Sequence, residues 1–354
     1  TCVNMLITDG GYKEVGYHNA SYDRLVGTDS SDPQKRWDNM VEAERILLEE
    51  DVVLAPLYQR TGIVLQKPDV TNIIEHDFGP DFSFKWVQSA DGQLNLLDST
   101  AIPTLDTNLA TDSVSFNALN QYAEGLVRLG QTGSDVVPGV AETWSNEGLV
   151  YTFNLRTDAV WVDHTGAEIG NVVVGDLVYG WNRLTTLDGA QYSYMLADTA
   201  HISSFVATDD YTLVVTLDSD TPWFLSLMTF PSFYPVNQES VELHGDLYGT
   251  SNDTTAYNGA FYLSSWTPNE TRLFTKNDSY WDAAVVELQT INYRVISGVE
   301  NETAVTMYFD GDIDRTGLSG ERVDLYKNHD EARPTMSPVI FYLMFNQGHE
   351  GFAE

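Results

Sequence analysis

The sequence has 354 residues, 42% hydrophobic and 20% charged, which fits a globular chain of two or three domains and not a disordered one. Its 18 Lys plus Arg against 52 Asp plus Glu give a formal charge of −34, which argues against nucleic acid as a partner and against docking on anionic membranes. A single cysteine, Cys2, precludes an intramolecular disulfide and a Cys/His zinc cluster.

The N-terminal residues Thr1 to Leu6 lack the basic and apolar regions of an export signal, so in an exported protein that signal would be missing from this chain. No apolar run reaches the roughly 18 residues of a membrane span. Ser30-Ser31-Asp32-Pro33 reads as a helix start, with a capping residue followed by proline. Trp37, Met40, Val41, Leu47 and Leu48 then recur at helical spacing as an expected core stripe, and the helix should end near Asp51. Val52 to Tyr58 reads as a buried strand, followed by a second apolar run, Gly62 to Leu65. Gln88-Ser89-Ala90-Asp91-Gly92 is small and polar and reads as a linker, with a strand from Gln93 to Leu97 after it. From Leu126 to Leu217 the pattern is mostly β, with strands at Tyr151–Leu155 and Tyr211–Leu217 and one helix at Val174–Leu184. Further strands are expected between Phe261 and Val295, a helix from Glu300 to Phe309, and an apolar strand from Val339 to Asn346. Strands and helices mix without regular βαβ alternation, which predicts an α/β fold with a mixed sheet and a β-rich region.

No nucleophile elbow, phosphate loop, dinucleotide fingerprint or paired-histidine zinc motif is present, and the seven histidines are scattered. No enzyme activity, metal or cofactor is therefore expected. Asp310, Asp312, Asp314 and Glu321 fall in the register of a calcium loop, but Arg315 occupies the position that needs glycine, so a solvated turn is expected. Five Asn-X-Ser/Thr sequons occur, at Asn19, Asn252, Asn269, Asn277 and Asn301; they carry weight only in a chain that crosses a eukaryotic secretory pathway.

Several stretches match one family in its own order. They are Asp106–Asp112 (DTNLATD), Ala123–Leu129 (AEGLVRL), Val137–Trp144 (VPGVAETW), Tyr151–Arg156 (YTFNLR) and Val174–Trp181 (VGDLVYGW). Tyr257–Phe261 (YNGAF), Asn277–Ala283 (NDSYWDA) and Tyr308–Asp314 (YFDGDID) follow. From Leu94 onward the chain thus resembles the oligopeptide- and dipeptide-binding proteins of bacterial ABC importers, the family 5 extracellular solute-binding proteins. Gly16–Leu25, Ala43–Leu48, Leu54–Tyr58, Val64–Pro68 and Asp81–Trp86 resemble the C-terminal part of the same family, placed before its N-terminal part. Two arrangements fit that order: a circular permutant, or the end of one copy joined to the start of the next in a tandem array.

The resemblance implies a periplasmic-binding-protein type II-like lobe with a mixed sheet, a β-rich subdomain and a partial second lobe. Residues 52–122 and 219–345 would form the first lobe, with the permutation linker near 87–92. Residues 123–218 would form the β-rich subdomain, 1–51 a remnant of the second lobe, and 346–354 a truncated crossover into it. The family's central part, including the Asp that holds a ligand's amino terminus, has no counterpart here. The implied ligand is a peptide or other small solute, the implied partners are the importer's membrane subunits, and the implied location is extracellular or at the cell envelope. Thr111, Asp112 and Ser113 would offer main-chain groups to an extended ligand. Tyr194 and Asn258 would flank the cleft, and Tyr342 and Phe345 would lie on a strand near the hinge. Each has a plainer alternative: a helix cap for Thr111–Ser113, a turn for Asn258-Gly259, and core for the three aromatics. Cys2, which has no lipobox before it, reads as a plain thiol. A partial lobe also leaves apolar surface uncovered, so self-association is a rival role. The acidic surface suits solubility in high salt or deliberate redesign.

Overall fold

The structure is a computed structural model that describes residues 6–8, 12–27, 32–76, 80–349 and 351. Cys2, Ser30 and Ser31 lie outside them. The chain divides into two compact units, one from Thr1–Thr61, Asp220–Pro222 and Met336–Glu354, the other from Gly62–Ser219 and Trp223–Thr335.

In the smaller unit, Asn19 caps the helix Ala20–Val26 by accepting from Ser21 N and Tyr22 N. Asp32 caps the helix Pro33–Arg45 through Gln34 N and Lys35 N, with Pro33 at the first position, and the helix runs on as a π-helical turn, Ile46–Glu50. The expected stripe holds for Leu47, which is buried, and for Met40 and Leu48, which pack against the same cluster; it is corrected at Trp37, 67% exposed, and at Val41, also exposed, while Ala43 and Ile46 join the core with Tyr17, Tyr22 and Val53. The buried face thus runs through Met40, Ala43, Ile46 and Leu47 toward Tyr22 and leaves Trp37 and Val41 outside it. The expected buried strand is also corrected. It is the start of one 13-residue strand, Leu54–Gln66, on which Leu57 and Tyr58 (58%) are exposed. Tyr58 stacks on Phe341 at 4.8 Å between ring centroids, so these side chains cover one another and not a core.

The larger unit holds a core that runs from Val70 to Ile291. Its mixed sheet has the strand order Phe261–Thr267, Thr271–Lys276, Thr290–Val295, Gln93–Asp98. The first two pairings are antiparallel and the last is parallel, from Gln93 opposite Thr290 to Asp98 opposite Val295. The β-rich region is an antiparallel sheet in the order Ile202–Asp209, Thr212–Leu217, Val150–Leu155, Ala141–Glu147. The amphipathic helix Val174–Thr186 buries Leu177, Trp181 and Leu184. Trp181 packs edge-on against Phe205 at 5.2 Å and donates Nε1–H to Phe233 O at 2.9 Å, so its only polar atom is satisfied inside the core.

Asp176, in the first turn of that helix, accepts from Trp161 Nε1 at 2.9 Å and Val173 N at 3.0 Å. Burial pushes its carboxyl above the usual range, with those two bonds opposing. A carboxyl whose folded pKa is raised binds its proton in the native state before the unfolded chain does. Stability from this group therefore rises as pH falls through the folded pKa toward the unfolded value of about 3.9. Asp176→Asn should flatten that part of the pH profile, read as urea midpoints at pH values above about 3.9; an unchanged slope would exclude this account.

The 87–92 segment is a hydrogen-bonded turn. Gly92 sits at φ +74, Ser89 Oγ donates to Gln93 O at 2.6 Å, and Gln289 N donates to Gly92 O at 2.7 Å. Val70, Phe84 and Val87 before the turn share one core with Leu94 and Leu119 after it.

Candidate functional site

Asp112 lies in extended conformation and accepts from Ser115 N at 2.9 Å, capping the helix Ser113–Tyr122. The capping alternative for this loop is thus realised for Asp112, while Thr111 and Ser113 are exposed beside it. One turn on, Phe116 packs against Phe230 at 4.9 Å and Tyr192 at 6.0 Å, and Tyr192 meets Tyr194 at 6.4 Å. Burial, then Tyr194 and then Asp112, push the Tyr192 phenol above its ordinary range, which keeps it protonated as a donor. Tyr194 is 51% exposed, so the core alternative does not hold for it. Thr111–Ser113 and Tyr194 therefore share one neighbourhood, linked by the Phe116–Tyr192 contact. It presents an open aromatic ring, a phenol and a carboxylate.

Asn258 is not brought to that surface. It is 2% exposed, its Oδ1 accepts from Glu124 N at 2.9 Å, and its Nδ2 donates to Glu124 O at 3.0 Å. With both ends of its amide held, it acts as a clamp on the main chain. Gly259 beside it has no room for a side chain, because a Cβ would stand 2.6 Å from Tyr122 C. Tyr342 and Phe345 belong to the smaller unit. Both are half-buried, Tyr342 on the strand Ala332–Met344, and Phe345 N donates to Val53 O at 2.9 Å.

The charge pairing within the matching motifs was not legible in the sequence. Glu124 Oε2 accepts from Arg128 Nη1 at 2.8 Å and from the Tyr280 hydroxyl at 2.8 Å. Lys85 Nζ donates to that hydroxyl at 3.0 Å and pairs with Asp282 at 2.7 Å. Arg128 also donates to Ser83 Oγ at 3.1 Å. Burial pulls the Lys85 ammonium below the usual lysine range, partly offset by Glu124, and burial with Glu124 pushes the Tyr280 phenol well up. In the Asp106–Asp112 motif, Asp106 accepts two bonds from Arg183, at 2.8 and 2.6 Å. These acids and bases are spent on one another inside the unit. The available signal was a Glu and an Arg inside an apolar run, where an ionised group requires a partner.

The acidic loop is likewise committed to structure. Gly311 ends the helix Asn301–Asp310 in a left-handed conformation, and Asp314 Oδ2 accepts from Asn95 N at 2.6 Å and Nδ2 at 3.0 Å. Among the described residues no group of three or more His, Cys, Asp or Glu is placed to hold a metal, and no helix is long and apolar enough to cross a membrane.

Residues 135–354 match the family described as bacterial extracellular solute-binding proteins, family 5 Middle. The periplasmic oligopeptide-binding protein OppA of Salmonella typhimurium is 32% identical over 274 residues, 73% of this chain and 49% of its own. The dipeptide-binding protein DppE of Bacillus subtilis is 28% identical over 264 residues, 70% of this chain and 47% of its own. The chain thus spans about half the length of these curated relatives. Among solved structures, Listeria monocytogenes OppA bound to peptide superposes with a TM-score of 0.63 at 33% identity, covering 68% of this chain and 49% of that one. The substrate-binding domain of an oligopeptide ABC transporter from Bacillus anthracis gives 0.62 at 35%, covering 68% and 48%.

Proposed function

We propose a function from one premise: the chain belongs to the bacterial extracellular solute-binding proteins of family 5. The family is one of binding proteins, and its mixed α/β fold is the fold seen here. On that premise the chain is a peptide-capturing component of an ABC importer, working at the cell envelope or outside the cell and delivering peptide to the importer's membrane subunits. The observation that carries the reading is the open Tyr194 ring beside Asp112, anchored through Tyr192 and Phe116. An extended peptide would lay a side chain on that ring and use main-chain bonds from Thr111 and Ser113. Asn258 would act by holding the Glu124 main chain.

Titration calorimetry against a pool of di- to pentapeptides tests this. Binding heat is expected, and Tyr194→Ala should abolish or weaken it while leaving stability within about 0.5 kcal/mol, as for an exposed side chain. Heat unchanged in the variant would place capture elsewhere, and no heat in the parent protein would reject the function.

The order of the chain is proposed to be a circular permutation. The shared core of Val70, Phe84 and Val87 with Leu94 and Leu119 supports this over the tandem array, in which the segment before the turn would complete a different copy. A second role, self-association, is favoured by one observation: Leu57, Tyr58, Ile340 and Leu343 are exposed apolar residues on strands of the smaller unit. A monomer at high concentration by light scattering would exclude it.

A further inference from the structure

The Tyr194 neighbourhood carries charge of one sign. Three stretches of the larger unit build it, residues 107–122, 184–200 and 223–236, joined by the Phe116, Tyr192, Tyr194 and Phe230 ring contacts. Together they contain no Lys, Arg or His, and their charged residues are Asp112, Asp188 and Asp198. All three acids are at least partly open to solvent, and none makes an ion pair with a described residue. Asp112 spends Oδ1 on its helix cap, and no described residue bonds its Oδ2. Asp198 follows Tyr194 by four residues on the π-helical turn Met195–Thr199, so it falls on the Tyr194 side of that turn. Asp188 stands beside Gly189, where a Cβ would lie 3.7 Å from Leu109 Cδ2, so its turn borders the Asp106–Asp112 segment. The nearest bases along the chain are engaged elsewhere: Arg183 is bonded twice to Asp106, and His201 faces the Trp223 ring at 6.1 Å.

The second component is a π face. Tyr194 is exposed and is braced by Tyr192, which packs edge-on against Phe230 at 5.2 Å. The Tyr192 phenol is pushed up by burial, then by Tyr194 and Asp112, so the Asp112 carboxylate acts within electrostatic reach of the same rings. An open ring flanked by carboxylates, with no cation competing for them, suits an ammonium or guanidinium. The ring's quadrupole attracts the charge, the methylene stem lies along apolar surface, and the carboxylates hold the head. An acidic side chain in the same place would meet only like charge.

We propose that the ligand side chain laid on Tyr194 is that of a lysine or arginine, so the protein selects peptides with a cation at that position. This rests on peptide capture at Tyr194 and adds to it the sign of the charge selected, with Asp112 and Asp198 as the residues that set it.

The test titrates the full chain with a tetra-alanine peptide substituted at each position in turn by Lys, norleucine or Glu. Norleucine keeps most of the lysine stem and lacks the ammonium, so the ratio of the two affinities isolates the charge. At one position Lys should bind about 10-fold more tightly than norleucine, with Glu weakest. That ratio should shrink toward unity in about 1 M salt. It should fall about 3-fold in Asp112→Asn, in which asparagine still caps the helix. Equal affinity for Lys and norleucine at every position, or tightest binding of Glu, would overturn the inference and leave peptide capture standing. A Lys preference unchanged in both Asp112→Asn and Asp198→Asn would overturn its assignment to this surface. Binding of none of these peptides would overturn it as well, and the titration with the mixed peptide pool then shows whether capture itself fails.

Discussion

Glu124→Ala should destabilise the larger unit by about 3–5 kcal/mol, the cost of leaving a buried cation without its partner. The carboxylate joins Arg128 to the Tyr280 hydroxyl, and the same hydroxyl accepts from Lys85. Removing it leaves Arg128 without a counter-charge, since its other partners are the Tyr280 hydroxyl at 3.3 Å, Ser83 Oγ and the Trp86 ring at 4.9 Å. Urea unfolding measures the effect. A companion variant keeps the cause identifiable: Glu124→Ala combined with Arg128→Met should recover much of the loss, because two apolar groups leave no charge unpaired. A double variant as unstable as the sum of two single losses would mean that packing around Glu124, and not its charge, sets the cost.

Phe116→Ala should cost about 3–5 kcal/mol as a large-to-small change in the core. It should also cost function. Phe116 lies one turn into the helix capped by Asp112 and props Tyr192, which in turn meets Tyr194. With the ring gone, the aromatic neighbourhood loses its floor. Peptide affinity should fall in Phe116→Ala under conditions where the variant remains folded, while Phe116→Leu should keep stability better than it keeps affinity. Equal affinity in parent and Phe116→Ala would separate the Tyr192 contact from ligand capture.

Much of the fold was legible because its signals are local. Asp32-Pro33 starts a helix by capping chemistry, and the Val174–Thr186 helix announces its buried face by spacing. The alternating run at Thr212–Leu217 shows its strand the same way. The failures concern which face is covered, and that depends on neighbours distant in sequence. Trp37 and Tyr58 look like core by residue type but face outward. At the candidate site, Asp112 and Tyr194 were found through resemblance alone, and their proximity depends on Tyr192 and Phe116, which carry no motif. Asn258 was misleading for a physical reason: a polar residue in a matching motif reads as a ligand contact until its amide is seen bonded at both ends.

The charge of the chain also gains a structural meaning. Lys85, Arg128, Arg156, Arg183, Arg272 and Arg315 have side chains at most 12% exposed, so six of the 18 basic residues are withdrawn from the surface. The acids that face solvent are opposed by fewer cations than composition suggests, which strengthens their mutual repulsion at low ionic strength.

The parallel pairing of Gln93–Asp98 with Thr290–Val295 bears on how the molecule is made. Asn292 bonds Asn95 across 197 positions of sequence, so the mixed sheet has no local route to closure. During synthesis the first of these strands emerges early and must wait, an unpaired edge, until the rest of its sheet has left the ribosome. Loop-closure entropy then makes this pairing a late and slow step. In that interval the like charge along the chain helps to keep neighbouring nascent copies apart.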